Sequence, residues 1–388
     1  MTRFLNTEHV GGDFYTRNFQ QGARENTLIL NMGPQHPSTH GVLRIILELD
    51  GEYIVRAEPV LGYLHRMHER MAESKSYVGF MPNMGRVDYL HPIAWNWAWA
   101  GAVEKLAGIE IPKRAEYLRV ISCELNRISS HLLWWGAYLL DLGAFTPIMY
   151  AFEDRELLMD ILQQPTGARL NYSYFRIGGV SDDMTAETLQ RLKDFIPYLR
   201  ARLPIYKDLV TDNIILRKRV EEIGEISVDQ CRRYGATGPV VRGSGLAYDV
   251  RRAEPYSVYN EFDFEIPTET TCCAMGRYMV RMREIEQSLK IVEQALAALP
   301  EGEFQAKATP KPVWKAPKGE AYFAADGARG KIGVYLASDG GKSPYRVKLR
   351  APGFSNLSLF AEVAQGTLIA DAVAILGSLD MVIPEIDR

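Results

Sequence analysis

LLWWGAYLLDLGAFTPIMYAF, residues 132–152, is the stretch on which the architecture turns. It is long enough to cross a bilayer, for which ~20 apolar residues suffice, and it carries one charge, Asp141. A membrane span and a buried helical segment are the competing readings. A carboxylate at the bilayer midplane is costly, and Gly143 with Pro147 interrupts any continuous helix. The run therefore predicts a buried helix that ends near Gly143 and a second element after Pro147.

Working outward, helix-like apolar spacing covers residues 62–75, 86–107, 113–141, 149–163, 185–219 and 270–298. Upstream, TLILNMG and GVLRIILELDGEYIVRAEPV (residues 27–60) read as strands, and Asp50-Gly51 between two apolar runs signals a hairpin. Downstream, the proline- and lysine-rich stretch 299–318 reads as a surface connection. AYFAAD, KIGVYLASDG and YRVKLRAPG follow as strands, and LIADAVAILGSLDMVIPEI closes the chain. The plan is α+β: a β-rich N-terminal unit over residues 1–60, a central helical body over 61–300, and a C-terminal α/β segment over 301–388.

Composition excludes several classes. The chain has 388 residues, 47% hydrophobic and 24% charged, which is ordinary for a globular protein able to bury a large core. A net charge of −3 gives no footprint for nucleic acid. Four scattered cysteines do not make a disulfide scaffold and suggest a reducing compartment. The first residues, MTRFLNTEHVGGDFYTRNF, lack the apolar core of a signal peptide. Six Trp and twenty Tyr suit large buried interfaces.

Common cofactor motifs are missing. No GxGxxG follows a strand, so a nicotinamide or flavin site is not indicated. LASDGGKS ends like a phosphate-binding loop, but Leu336 stands where the first glycine belongs, so it reads as a hairpin turn. No CxxC occurs, which argues against zinc or iron–sulfur ligation by this chain. His36 and His40 have HxxxH spacing, but Pro37 and Gly33-Pro34 oppose a helix there. His65, His68 and Glu69 could suggest a metal; on a helix His65 and Glu69 would share a face and hydrogen-bond instead. Glu124, Arg127 and His131 fall on one helical face and read as a buried polar network.

A family resemblance emerges from longer stretches. NMGPQHPSTHGVLR (31–44), EPVLGYLHRMHERMAE (58–73), GRVDYLHPIAW (85–95), ELNRISSHLLWWG (124–136), LDLGAFTPIMYAFEDRE (140–156) and TGARLNYSYFRIGGV (166–180) resemble, in order and spacing, the 49 kDa quinone-site subunit (the D-subunit) of respiratory NADH:quinone oxidoreductase, complex I. GPVVRGSGLAYDVRR (238–252), IGVYLASDGGKSPYRVKLRAPGF (332–354) and LGSLDMVIPEIDR (376–388) extend the match to nearly the whole chain. The family is similar in fold to nickel–iron hydrogenase large subunits, which implies a central helical bundle of that type. Those relatives hold their metal with two CxxC pairs. The corresponding segments, GYLHRMHE and LDMVIPEIDR, contain no cysteine, so the soft ligands such a centre needs are absent.

The resemblance implies residue roles. His40 matches the histidine that hydrogen-bonds one quinone carbonyl, Tyr89 the tyrosine that binds the other, and Asp141 the carboxylate that pairs with the histidine. The chemistry is coherent, because a quinone reduced by two electrons presents two basic oxygens, each needing a proton donor. A carboxylate beside a histidine favours imidazolium and fixes its orientation. Arg66 matches an arginine close to the terminal iron–sulfur cluster, which a neighbouring subunit holds. Each residue also has a plain structural alternative: a turn histidine, a core tyrosine, a locally satisfied aspartate, a solvated arginine. Asn171 departs from the family, which often has histidine there.

The implied cofactors are quinone as substrate, such as low-potential menaquinone, with no metal or flavin on this chain, and NAD and iron–sulfur clusters on partner subunits. The implied partners are the other complex I subunits: the iron–sulfur B-subunit that carries the terminal cluster, the C- and I-subunits, and the membrane-embedded H-subunit, at the cytoplasmic face of the cell membrane. The same subunit in a ferredoxin- or deazaflavin-driven relative, a hydrogenase large subunit, and a redox-silent assembly subunit are the alternatives. The missing CxxC pairs weigh against the hydrogenase, and His40 with Tyr89 against the silent subunit.

Overall fold

The computed structural model describes residues 19–21, 27–35, 41–307 and 309–388. Strands β1 (Phe19–Gln21), β2 (Leu28–Met32), β3 (Arg44–Asp50) and β4 (Tyr53–Val60) form an antiparallel sheet in that order. Asp50 pairs with Tyr53 across the expected hairpin, and Gly51, at φ 60°, supplies the left-handed backbone of its turn. Ile45, Leu47 and Ile54 are buried. They pack with Leu357, Phe360, Ile375 and Ile386 in one core cluster, so the first sheet is covered by the C-terminal segment.

The helices are α1 (His68–Ser74), α2 (Tyr77–Met84), α3 (Pro92–Ala107), α4 (Lys113–Asp141), α5 (Thr146–Thr166), α6 (Ala186–Tyr206), α7 (Ile214–Val220), α8 (Val228–Tyr234) and α9 (Ala274–Ala297). Shorter turns and the ribbon β5 (Phe175–Arg176) and β6 (Gly179–Val180) lie between them. An antiparallel sheet follows: β7 (Gly319–Gly327), β8 (Gly330–Ser338) and β9 (Arg346–Arg350). Helices α10 (Pro352–Ser358), α11 (Ile369–Leu379) and α12 (Ile383–Asp387) complete the chain. The fold is α+β, as expected. The LASDGGKS segment joins the antiparallel pair β8 and β9, as a hairpin connection should.

The run 132–152 is the C-terminal part of α4, a turn, and the start of α5. Gly136 makes their contact possible: a Cβ there would meet Ile148 Cα at 3.0 Å. Among the described residues no helix is long and apolar enough to cross a membrane. Helix α4 packs on α5 and α9, with Trp95, Trp97, Trp99 and Trp135 fully buried in the larger core.

Three helical expectations need correction. The segment expected to be helical from 62 starts at 68, because the Asp387 carboxylate captures the Gly62 and Leu64 N–H groups at 2.9 and 2.7 Å. His65 and Glu69 therefore share no helix face: His65 bonds the Asp387 carbonyl at 2.7 Å, while Glu69 accepts from Lys348 at 3.0 Å. The segment expected from 86 starts at Pro92, because Asp88 accepts the Leu90 and His91 N–H groups at 2.9 and 3.1 Å in a turn. The long helix expected over 185–219 is broken by a π turn at Lys207–Thr211 and restarts with Asn213 capping α7.

Candidate functional site

The loop 85–91, between α2 and α3, organises the site. Its Asp88 turn leaves Tyr89 on the surface, 38% exposed. Partial burial pushes the Tyr89 hydroxyl above its ordinary pKa; Arg329 opposes that shift, and Asp88 and Asp380 reinforce it. Arg66 is exposed and donates to the Arg86 carbonyl at 2.6 Å. Asn171 lies against the same loop, its carbonyl 3.7 Å from where a Gly85 Cβ would stand. Its φ of 55° suits asparagine, which tolerates the left-handed region. The structure thus gathers Arg66, Tyr89 and Asn171 around one loop.

His91 closes the loop from inside. Its Nδ1 accepts from the Ala328 N–H at 2.8 Å, so Nε2 carries the proton and donates to the Cys123 carbonyl at 3.1 Å. Burial and Arg127 hold its pKa well below the usual value, so it is neutral. His68 is also neutral, lowered to about 4 by burial and by Arg66.

Behind Tyr89 lies a buried ionic cluster. Arg329 donates to Asp88 at 2.7 Å and to Asp380 at 3.3 Å. Arg281 approaches Asp380 at 3.9 Å. The Gly353 N–H donates to Glu385 at 3.0 Å. Burial, with Asp88 nearby, raises the Glu385 carboxyl to about 8. Sequence reading missed this cluster. Its signal was present: Asp88, Asp380 and Glu385 are charged residues inside otherwise apolar stretches, where an unpaired charge is expensive.

A second cluster confirms the polar face expected on α4. Glu124 accepts from Arg127 at 3.1 Å, Arg251 at 3.1 Å, the Tyr259 hydroxyl at 2.7 Å and the Ser288 hydroxyl at 2.7 Å. Arg127 also reaches Asp326 at 2.9 Å, and His131 meets Glu284 at 2.9 Å. Despite burial, these arginines hold Glu124 down to about 2, and Arg242 does the same to Glu284, also to about 2.

Asp141 is the last residue of α4 and is half-buried. The turn after it, Leu142–Pro147, lines an apolar cavity of about 400 Å³ with Leu209, Ile215 and Leu216. Phe145, Met149 and Phe152 are exposed nearby. His40, with the His36 pair, lies outside the described residues. The two segments that would carry metal ligands in a hydrogenase do meet, but through the Asp387 carboxylate and backbone amides. Among the described residues no group of three or more His, Cys, Asp or Glu side chains could hold a metal.

The fold is α+β, and its loop 85–91 sets a partly exposed tyrosine before a buried ionic cluster. The family model for the respiratory-chain NADH dehydrogenase 49 Kd subunit matches residues 141–314 and 308–388. The chain is 56% identical over 364 residues to the NADH-quinone oxidoreductase D-subunit of Desulfotalea psychrophila, covering 94% of this chain and 98% of that protein. It is 54% identical over 366 residues to the NADH-quinone oxidoreductase D-subunit numbered 2 of Opitutus terrae (94% and 92% covered). It is 53% identical over 372 residues to the corresponding D-subunit of Syntrophobacter fumaroxidans (96% and 100%). The chain belongs to the 49 kDa subunit family of respiratory-chain NADH dehydrogenase.

Proposed function

We propose that this chain is the core subunit of a proton-pumping NADH:quinone oxidoreductase that forms the quinone headgroup site. The observation that carries this reading is Tyr89: its hydroxyl-bearing ring stands partly exposed on a rigid Asp88 turn, directly before a buried charge cluster. A partner subunit's iron–sulfur cluster supplies the electrons. Arg66, beside the 85–91 loop, would face that cluster, and its positive charge favours the reduced state there.

Tyr89 donates its proton to one carbonyl oxygen as the quinone is reduced. His40, which the resemblance pairs with Asp141, would donate to the other. The raised Tyr89 pKa keeps the hydroxyl protonated between turnovers, so the donor is loaded before each electron arrives. The apolar cavity beside Leu142–Pro147 supports quinone entry near Asp141 and contact with the membrane-embedded H-subunit. The B-, C- and I-subunits complete the surroundings at the cytoplasmic face of the membrane. NADH is oxidised on another subunit.

The test is quinone reductase activity in membranes carrying Tyr89→Phe, with assembly checked in parallel. Activity falling by about 10²-fold or more in an assembled complex supports the reading; near-normal activity overturns it. Asn171 supports a low-potential quinone such as menaquinone, since an asparagine carries no titrating charge near the cluster. A cluster potential that falls steeply with pH would count against that part.

A further inference from the structure

We propose that Glu385 is the proton store behind Tyr89: a neutral carboxylic acid that reprotonates the tyrosine through water held along Asp380, Arg329 and Asp88. This rests on the reading of Tyr89 as headgroup donor.

The two buried ionic clusters differ in how their carboxylates are satisfied. In the Glu124 cluster both Glu124 oxygens are bonded by arginines and hydroxyls, and only nitrogens, Arg242 Nη2 and His131 Nδ1, are left without a hydrogen bond among the described residues. In the Arg329 cluster, Arg281 Nε and Nη2, Arg329 Nε, Asp380 Oδ2 and Glu385 Oε2 are buried with no hydrogen-bond partner among the described residues. Donors and acceptors are left over together, in one place. Arg281 and Asp380 stand 3.9 Å apart, too far for a direct hydrogen bond. Buried groups of this kind take up ordered water.

The hydrogen-bond partners, rather than a charge count, place the proton. Three carboxyls, Asp88, Asp380 and Glu385, share the site with Arg329, Arg281 and Arg350, but Arg281 also faces Glu284 and Arg350 gives its hydrogen bonds to the Gly235 and Lys331 carbonyls. Asp88 has Arg329 at 2.7 Å and two backbone N–H groups. Asp380 has Arg329 at 3.3 Å and Arg281 at 3.9 Å. Glu385 has only the Gly353 N–H at 3.0 Å, and its second oxygen is bare of protein partners among the described residues. The proton therefore resides on Glu385. The groups that face it are Asp88 from the loop before α3, Arg329 from the β7–β8 turn, Asp380 from the segment after α11, and Arg350 at the end of β9. Arg350 is held by the Gly235 carbonyl at 2.8 Å and the Lys331 carbonyl. Tyr89 senses the same Arg329, Asp88 and Asp380.

The proton step balances. When Tyr89 gives its proton to the reduced quinone, its O–H bond breaks, one forms on the quinol, and a phenolate remains. The Glu385 O–H bond then breaks, the proton passes over water, and the tyrosine O–H re-forms. Glu385 is left as carboxylate and reloads from solvent. Both electrons come from the partner's cluster, and none passes through Glu385. The transfer runs downhill, because a phenol is the weaker acid of the two. A carboxyl whose pKa is raised is loaded below that pKa and empties as pH rises through it, so turnover should fall on the alkaline side.

The test compares quinone reductase turnover against pH for parent, E385Q, E385D and Y89F, in membranes carrying the whole complex. Electron input is checked with a water-soluble acceptor. E385Q is expected to lose about tenfold or more in kcat with KM for quinone within about twofold, and to lose the alkaline limb. E385D should recover most turnover and move the limb to lower pH. Parent-like kcat and limb in E385Q overturn the proposal. If E385Q does not assemble, an unmoved limb in E385D overturns it. Y89F separates the two ideas: an active Y89F sinks the headgroup reading, whereas an inactive Y89F with parent-like E385Q sinks only the proton store.

Discussion

Replacing Glu124 with glutamine probes the interior directly. The isostere keeps the volume and one acceptor oxygen, but it removes the charge and turns an amide NH₂ toward guanidinium donors. Glu124 is fully buried and serves Arg127 and Arg251, both at 3.1 Å, and two hydroxyls at 2.7 Å. Breaking a buried pair from one side costs ~3–5 kcal/mol. The low end applies, since Arg127 retains Asp326 at 2.9 Å and Arg251 retains Asp249 at 2.7 Å. Unfolding entropy of ~2.1 cal/mol/K per residue over 388 residues is ~0.8 kcal/mol/K, so a loss of ~3 kcal/mol lowers Tm by ~4 °C. Differential scanning fluorimetry of purified protein measures this. A Tm within about 1 °C of the parent would show that the cluster contributes little, and the reasoning would be wrong.

Other outcomes follow from the same structure. Glu124 and Glu284, both held to about 2, contribute stability that is present above the unfolded carboxylate value of 4.5 and lost as pH falls through about 2; melting curves between those pH values should show Tm dropping, and the drop should shrink in E124Q. Gly238→Ala should prevent stable assembly, because its Cβ would lie 2.2 Å from the Arg329 carbonyl oxygen at φ 75°, whereas Gly235→Ala, at φ 64° with open space, should cost only about 1 kcal/mol; equal Tm losses would refute the packing argument. Asp387→Ala removes two charge-assisted hydrogen bonds of 2.9 and 2.7 Å, and about 2–3 kcal/mol of local stability should go with them; limited proteolysis should then cut near residues 61–67, and unchanged protection would count against it.

Much of the fold was legible because period and punctuation agree. The hairpin at Asp50-Gly51, the helix 113–141 and the three C-terminal strands follow from patterns that local propensity alone sets. The helix starts were not legible where distant groups decide them. Nothing near residue 62 announces that Asp387 will take its amides, and at residue 86 the apolar spacing hid the local turn by which Asp88 takes the Leu90 and His91 N–H groups. Tyr89, Arg66 and Asp141 stood out in the sequence only through resemblance, since a lone tyrosine or aspartate carries no signature of its own. The partnership of Asp88, Arg281, Arg329, Asp380 and Glu385 did not, because it joins four separated segments. The α4 network was readable because Glu124, Arg127 and His131 share one helix and its period.

The carboxylate of Asp387 holds the backbone at Gly62 across 325 residues of sequence. Closing a loop that long costs on the order of 5 kcal/mol of chain entropy, and nothing local repays it. At ~5–20 residues per second, the ribosome releases Asp387 roughly 20 to 60 s after Gly62. The segment 61–67 must wait through that interval without its anchor, while helices α3 to α9 can already pack. Segment 61–67 therefore gains its Asp387 anchor only after the residues at the far end of the chain have been made.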